Sequence, residues 1–196
     1  MIDIESELAD LLPASVRTCY PAPEPGKKAS AVLLPLLKEE AVWKLLFTQR
    51  SEQIADHRGQ VSFPGGHVEA GDSGPVQTAL REASEEVGIR PEDVRPLGIL
   101  EPVDTRTDFR IWPVVCIVRW PVRLTLSLEE VREVFLVPVE WLMETSRLTW
   151  RAVEPASGRT ENRAPFYEAF LGHVIWGATA MITSRLMDIL RGGTTA

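Results

Sequence analysis

Residues 59–89 read GQVSFPGGHVEAGDSGPVQTALREASEEVGI, a glycine break followed at close range by a helical pattern loaded with acid. On a helix, residues three and four apart share a face, so Glu82, Glu85 and Glu86 project their carboxylates from about a 100° arc of one surface. Like charges so close repel, and the usual remedy is a hard divalent cation with oxygen ligands, Mg²⁺ or Mn²⁺. Val76, Ala79, Leu80, Ala83 and Val87 keep the same period and form an apolar stripe beside the acidic one. Pro75 suits a first helical turn and Gly88 a left-handed C-terminal position, which frames a helix over 75–87. The alternative for an acidic helix is a solvated face with i, i+4 support from Arg81 to Glu85. The preceding residues weigh against it. Phe63, Pro64, Gly65 and Gly66 read as a strand end breaking into a tight turn, where backbone can approach a ligand and Gly66 could lend its carbonyl to a metal.

The same residues resemble a known family. Gly66, five residues, Asp72, then Arg81-Glu82-Ala83-Ser84-Glu85-Glu86-Val87-Gly88-Ile89 is similar to the Nudix box, which runs G, five residues, E, seven residues, R-E-U-x-E-E-x-G-U with U a bulky aliphatic. Asp72 stands where the general pattern has Glu, eight residues separate it from Arg81, and Ala83 is smaller than the usual aliphatic. The extra residue and the Asp look like one subgroup, the coenzyme A pyrophosphatases. Its second signature, L-L-T-x-R-S followed by G-x-V-x-F-P-G-G, is similar to Leu46-Phe47-Thr48-Gln49-Arg50-Ser51 and to residues 57–66, with Ala55 where a basic residue is usual. A weaker likeness continues through residues 173–180.

The resemblance implies the Nudix fold, an α/β/α sandwich with a mixed β-sheet, and hydrolysis of a diphosphate bond. In that reaction water attacks phosphorus while charge spreads over the phosphoryl oxygens, and carboxylate-held metals activate the water and neutralise the charge. Glu82 and Glu86 are the expected principal ligands, with Gly66 beside them and Glu85 ligating a further ion or accepting a proton. Arg81 is expected to orient the carboxylates through its planar fork. Glu130 is a candidate additional ligand or base, although its surroundings also read as a solvated turn with charge pairs. Glu69 and Asp72 could reach the metals, and Asp72 reads equally as a turn or cap residue.

For the substrate, the subgroup likeness implies Arg50, Ser51, His57 and Phe63. Arg50 could meet the extra ribose phosphate of coenzyme A as a forked donor, or form a surface salt bridge. Phe63 reads equally as a core strand residue. Residues 104–109 depart from the subgroup's T-x-S-G-F-like segment by an acidic side chain where glycine is commoner. Trp112 and Trp176 sit in apolar patterns and read as packing.

Composition bounds the rest. The chain has 196 residues, 44% hydrophobic and 25% charged, enough for one domain with a proper core. Two cysteines, Cys19 and Cys116, offer at most one bridge and no metal spacing, which predicts reduced thiols in a cytoplasmic protein. The acidic N-terminus lacks the pattern of a signal peptide, and no apolar run reaches the ~20 residues that span a bilayer. A formal charge of −7 excludes general nucleic-acid binding and requires placed cations or metals wherever a polyphosphate is handled. Arg50, His57, Arg58 and Arg81 are available for that.

Residues 1–28 read as an N-terminal helix over 4–12 and a Pro-rich connector that packs on the domain; residues 29–196 form the single Nudix domain, with its box at 66–89. Strands are expected over 31–37, 42–48, 60–63, 94–100, 110–118 and 133–137, a polar loop over 101–108, and a short helix over 138–144. Residues 151–165 read as a mobile loop or lid, and 168–190 as a helix. Three functions compete: hydrolysis of coenzyme A or acyl-CoA, hydrolysis of another diphosphate such as ADP-ribose, a dinucleoside polyphosphate or an oxidised nucleotide, and non-catalytic ligand sensing. Retention of Glu82, Glu85 and Glu86 favours catalysis over sensing. A homodimer is compatible with the fold class.

Overall fold

The computed structural model describes Ile4, Leu8, Tyr20 and residues 26–52, 59–105, 108–153 and 163–192. Strands β1 (Lys28–Glu39) and β2 (Val42–Arg50) form a hairpin whose tip, Glu40 and Ala41, takes positive φ at both residues, the geometry that a two-residue turn demands. Strand β7 (Phe109–Val118) runs parallel to β1 on its other edge, and β5 (Val94–Ile99) pairs antiparallel with β7. Short β3 (Val61–Ser62) borders β2, β4 (Gly65–His67) borders β1, β6 (Val103–Asp104) borders β7, and β8 (Val131–Pro138) takes the far edge of β2. One parallel pairing among antiparallel ones makes the sheet mixed.

Alternation along the central strands sorts side chains to two faces. Leu34, Leu36, Leu45 and Phe47 enter one core, while Leu33, Leu37 and Leu46 enter the other. Helix α1 (Pro75–Val87) covers the second face with Ala79, Ala83 and Val87; after short α2 (Val139–Met143), helix α3 (Gly177–Leu190) covers the first with Ala180, Ile182, Leu186 and Ile189. The result is an α/β/α sandwich. Ile4 and Leu8, one helical turn apart, are helical and buried in the α3-side core. Among the described residues, no helix is long and apolar enough to cross a membrane.

Four expectations need correction. Residues 63–66 do not end in a simple turn, because Gly65 and Gly66 continue as β4 against Val32 and Ala31. The polar loop over 101–108 contains β6, whose two residues are held by β7 rather than by any apolar run of their own. Of the expected lid over 151–165, residues 154–162 lie outside the described residues, and its two ends belong to paired strands, β9 (Leu148–Ala152) with β10 (Arg163–Tyr167). Each strand is only five residues long, too short for its alternation to stand out. The last helix begins at Gly177, not Glu168. Between them, Phe170 and His173 exchange backbone hydrogen bonds across Leu171 and Gly172, and Phe166 bridges to Trp176.

Candidate active site

Packing of α1 sorts its acidic residues. Glu86 lies seven residues after Ala79 and three after Ala83, so it follows them onto the buried flank and is only 4% exposed. Its Oε2 accepts a hydrogen bond from the Gly65 backbone N–H at 3.1 Å. Gly65 reaches that point because it carries no side chain; a Cβ there would lie 2.4 Å from the Ala31 carbonyl oxygen. Gly66 likewise makes room for Glu82, whose carboxyl carbon would lie 2.5 Å from a Cβ at position 66.

Burial pushes the Glu86 carboxyl up to about 8, against the pull of the Gly65 N–H and of Arg50, and the charges of Glu82 and Glu130 push the same way as burial. Burial also raises Glu82, opposed by Arg81 and reinforced by Glu85 and Glu130. The Glu82 charge thus acts on a Glu86 carboxyl that burial already disfavours as an anion.

Arg81 holds this surface together. Its Nη1 is 3.1 Å from Glu82 Oε1 and donates to Glu85 Oε2 at 3.0 Å, and its Nη2 donates to the His67 carbonyl at 2.8 Å. On the other side, Nε and Nη2 grip Asp72 at 3.3 and 3.1 Å. Asp72 also accepts from the Glu69 N–H at 2.9 Å and the Thr78 hydroxyl at 2.8 Å. Burial alone would raise its pKa, but Arg81, the Glu69 N–H and Thr78 together hold it below the ordinary carboxylate range. Asp72 is therefore spent as a brace on Arg81.

The opposite wall comes from the end of β2. Gln49 pairs with Glu133 but Arg50 with Val131, so the ladder slips by one residue at Arg50. The extra residue at this bulge is Arg132 on β8, and the Arg50 charge acts on Glu86. The Arg50 Nε is buried and, among the described residues, has no hydrogen-bond partner. Next to it, the buried Ser51 donates its N–H to the Glu130 carbonyl at 2.8 Å. Thr125 and Ser127 donate to the Val87 and Glu86 carbonyls, which wraps this loop over the end of α1 and brings the exposed Glu130 toward the box.

Of the residues expected from sequence, Arg50, Gly66, Arg81, Glu82, Glu86 and Glu130 gather in this region. The Glu85 side chain is 57% exposed and held by Arg81. Phe63 is 3% exposed and stacks on Phe47 at 4.8 Å, so its ring belongs to the core and not to a binding surface. His57 lies outside the described residues. Thr78 and Tyr20 were not anticipated; a threonine on the apolar flank of a helix and a tyrosine ahead of a proline-rich stretch carry no local signal of this role.

The donor set fits a hard divalent cation, since buried oxygen donors with surplus negative charge meet beside a glycine that leaves them space. Among the described residues, no group of three or more His, Cys, Asp or Glu side chains could hold an ion alone. A divalent cation held there would take only part of its coordination shell from these carboxylates, as suits Mg²⁺, which keeps several of its waters.

A family model, the NUDIX domain, matches residues 27–156. The chain is similar to an uncharacterized Nudix hydrolase NudL of Citrobacter koseri, 38% identical over 161 residues that cover 82% of each chain. It is also similar to an uncharacterized Nudix hydrolase NudL of Pectobacterium atrosepticum, 35% identical over 175 residues, covering 89% of this chain and 86% of the relative. Among solved structures it is similar to a C. elegans Ap4A hydrolase binary complex, with a TM-score of 0.49 and 20% identity over 58% of this chain and 81% of the other.

Proposed function

The chain belongs to the NUDIX family of hydrolases, and from that premise we propose that it cleaves the diphosphate linkage of coenzyme A or an acyl-CoA, giving adenosine 3',5'-bisphosphate and a phosphopantetheine product. The observation that carries this reading is Arg50, the arginine of the coenzyme A-linked signature, whose charge acts on Glu86 and whose buried Nε has no partner among the described residues. A buried guanidinium N–H without an acceptor favours an oxyanion ligand, and an extra ribose phosphate supplies one.

Glu82 and Glu86, with the Gly66 carbonyl beside them, would hold Mg²⁺ or Mn²⁺. Bound there, the cation supplies charge neutralisation at the phosphoryl oxygens and a lowered pKa for water. Arg81 keeps Glu82 and Glu85 at fixed angle while Asp72 keeps Arg81 in place. Glu85, open to solvent, is set to take a proton from water, and Glu130 on the opposite wall is the other carboxylate available for that step.

A pyrophosphatase for another nucleoside diphosphate derivative is the second reading, and Asp108 favours it. Asp108 stands at the subgroup's glycine position and takes the left-handed φ of 60° that glycine adopts easily. Its carboxylate there would repel an anionic substrate that touched it.

Mass-spectrometric product analysis separates the two readings. Purified protein is incubated with coenzyme A, ADP-ribose and a nucleotide panel, with Mg²⁺ or Mn²⁺ and an EDTA control. Metal-dependent release of adenosine bisphosphate from coenzyme A, well above the other substrates, is expected. Turnover of another diphosphate with coenzyme A untouched would reject the substrate and keep the metal chemistry.

A further inference from the structure

Behind Arg81 a chain of hydrogen bonds continues out of the box and out of the matched domain. The Thr78 hydroxyl, fully buried, lies 2.8 Å from Asp72 Oδ2 and 2.9 Å from the Tyr20 hydroxyl. Thr78 has one proton to give, and an ionised carboxylate can only accept. The proton therefore goes to Asp72, the longer 3.4 Å contact to the Gly74 carbonyl is not served at the same time, and Tyr20 must be the donor to Thr78. The Tyr20 ring is seated edge-on against Trp112 at 6.1 Å, on the α1 side of the sheet. Burial, more than any neighbour, pushes its hydroxyl up to about 12, so the donor keeps its proton across the working pH range.

We infer that Tyr20 and Thr78 are positioning residues of the metal site: the relay Tyr20 to Thr78 to Asp72 to Arg81 sets the angle at which Arg81 presents Glu82 and Glu85. This rests on the reading of Glu82 as a metal-holding carboxylate. Asp72 is one methylene shorter than the Glu of the general box and one residue further from Arg81. A shorter acid has fewer ways to reach the guanidinium, so its carboxylate needs to be pinned from behind. Thr78 does so from within the helix. Tyr20 does so from ahead of residues 27–156, which carries the positioning of the site beyond the matched region.

Tyr20→Phe removes the donor and keeps the ring on Trp112, and Thr78→Val removes the hydroxyl at nearly constant volume. Two quantities are measured in each variant: exchange of the Arg81 Nε–H by NMR in metal-free protein, and the half-saturating Mn²⁺ concentration by titration. Roughly a 3- to 10-fold change is expected in both for Tyr20→Phe, in line with the loss of one neutral hydrogen bond, and a larger change for Thr78→Val. Thr78→Ser should restore both, and Tyr20→Phe should add nothing in an Asp72→Asn background. Unchanged Arg81 exchange in Tyr20→Phe, or full additivity with Asp72→Asn, would overturn the relay. If Arg81 exchange responds as expected while the unmodified protein binds no Mn²⁺, the relay stands and the metal reading of Glu82 falls.

Discussion

Gly66 and Glu82 meet with no room for a methyl group: a Cβ on the glycine would stand 2.5 Å from the carboxyl carbon and equally close to one of its oxygens. Strand β4 is backbone-paired to β1 on its far side, so the carboxylate is the part that can yield. Gly66→Ala should leave the fold intact and displace Glu82. We expect turnover to fall roughly 10- to 100-fold with a higher half-saturating Mg²⁺ or Mn²⁺ concentration, as when a neighbour of a ligand is disturbed. Metal-dependence curves of the variant check this. Unaltered curves would remove Glu82 from the metal site.

Arg50→Lys keeps the charge beside Glu86 and loses the planar fork. For a coenzyme A substrate, kcat/KM should drop roughly 10- to 100-fold, with a smaller change for a substrate lacking the ribose 3'-phosphate. Steady-state kinetics on coenzyme A and its dephospho form give the comparison. Equal losses on both would assign Arg50 to the diphosphate instead.

Asp104 accepts from Arg110 at 2.7 and 2.9 Å and is paired with Lys27, which ties the start of β1 to β6 and β7. Arg110 and then Lys27 hold its pKa well below the ordinary range. A depressed pKa means that the folded state binds the proton less readily than the unfolded chain. The stabilisation is complete above the unfolded value near 3.8 and is lost as pH falls through the folded one. Asp104 is 41% exposed, so the contribution is screened to at most about 1 kcal/mol. Asp104→Asn should be slightly less stable at pH 7 and show a shallower loss of stability below pH ~4. Urea titrations at both ends of that range measure the difference.

Leu171 sits at the tip of the Phe170 to His173 turn with φ 49°, followed by Gly172 at 89°, and is 82% exposed. Two positive-φ positions in a two-residue loop are what Asn-Gly satisfies, whereas a leucine there is strained by roughly 1–2 kcal/mol. Leu171→Asn should stabilise the protein by about 0.5–1 kcal/mol and raise Tm by roughly 1–4 °C. Calorimetry tests it, and a lower Tm would show that the exposed leucine is held by contacts it does not make within this chain.

Local pattern made the box helix legible down to its ends, because an apolar stripe with period 3.6, a first-turn proline and a C-terminal glycine act within a few residues of each other. The central strands were legible for the same reason, since their alternating leucines and valines are sorted by the two faces of one sheet. Strands β6, β9 and β10 were not. Their backbone groups are satisfied by partners remote in sequence, and strands of two to five residues are too short for a period to stand out. The last helix was read too early because residues 168–176 are apolar in helical proportion, while positive φ at Leu171, Gly172 and Gly177 breaks the chain.

The sequence by itself determined the family, the layered α/β class and the acidic residues proposed for the chemistry, because residue type and short-range spacing encode all three. Only the tertiary structure decided how those residues differ from one another. It buried Glu86 against Gly65 and left Glu85 in solvent, placed the Phe63 ring in the core, and made Asp72 a brace on Arg81. It also set the Arg50 charge against Glu86, and it brought Tyr20 to Thr78 across 58 positions of chain. Burial and charge pairing are properties of what surrounds a side chain, and those surroundings come from segments remote in sequence.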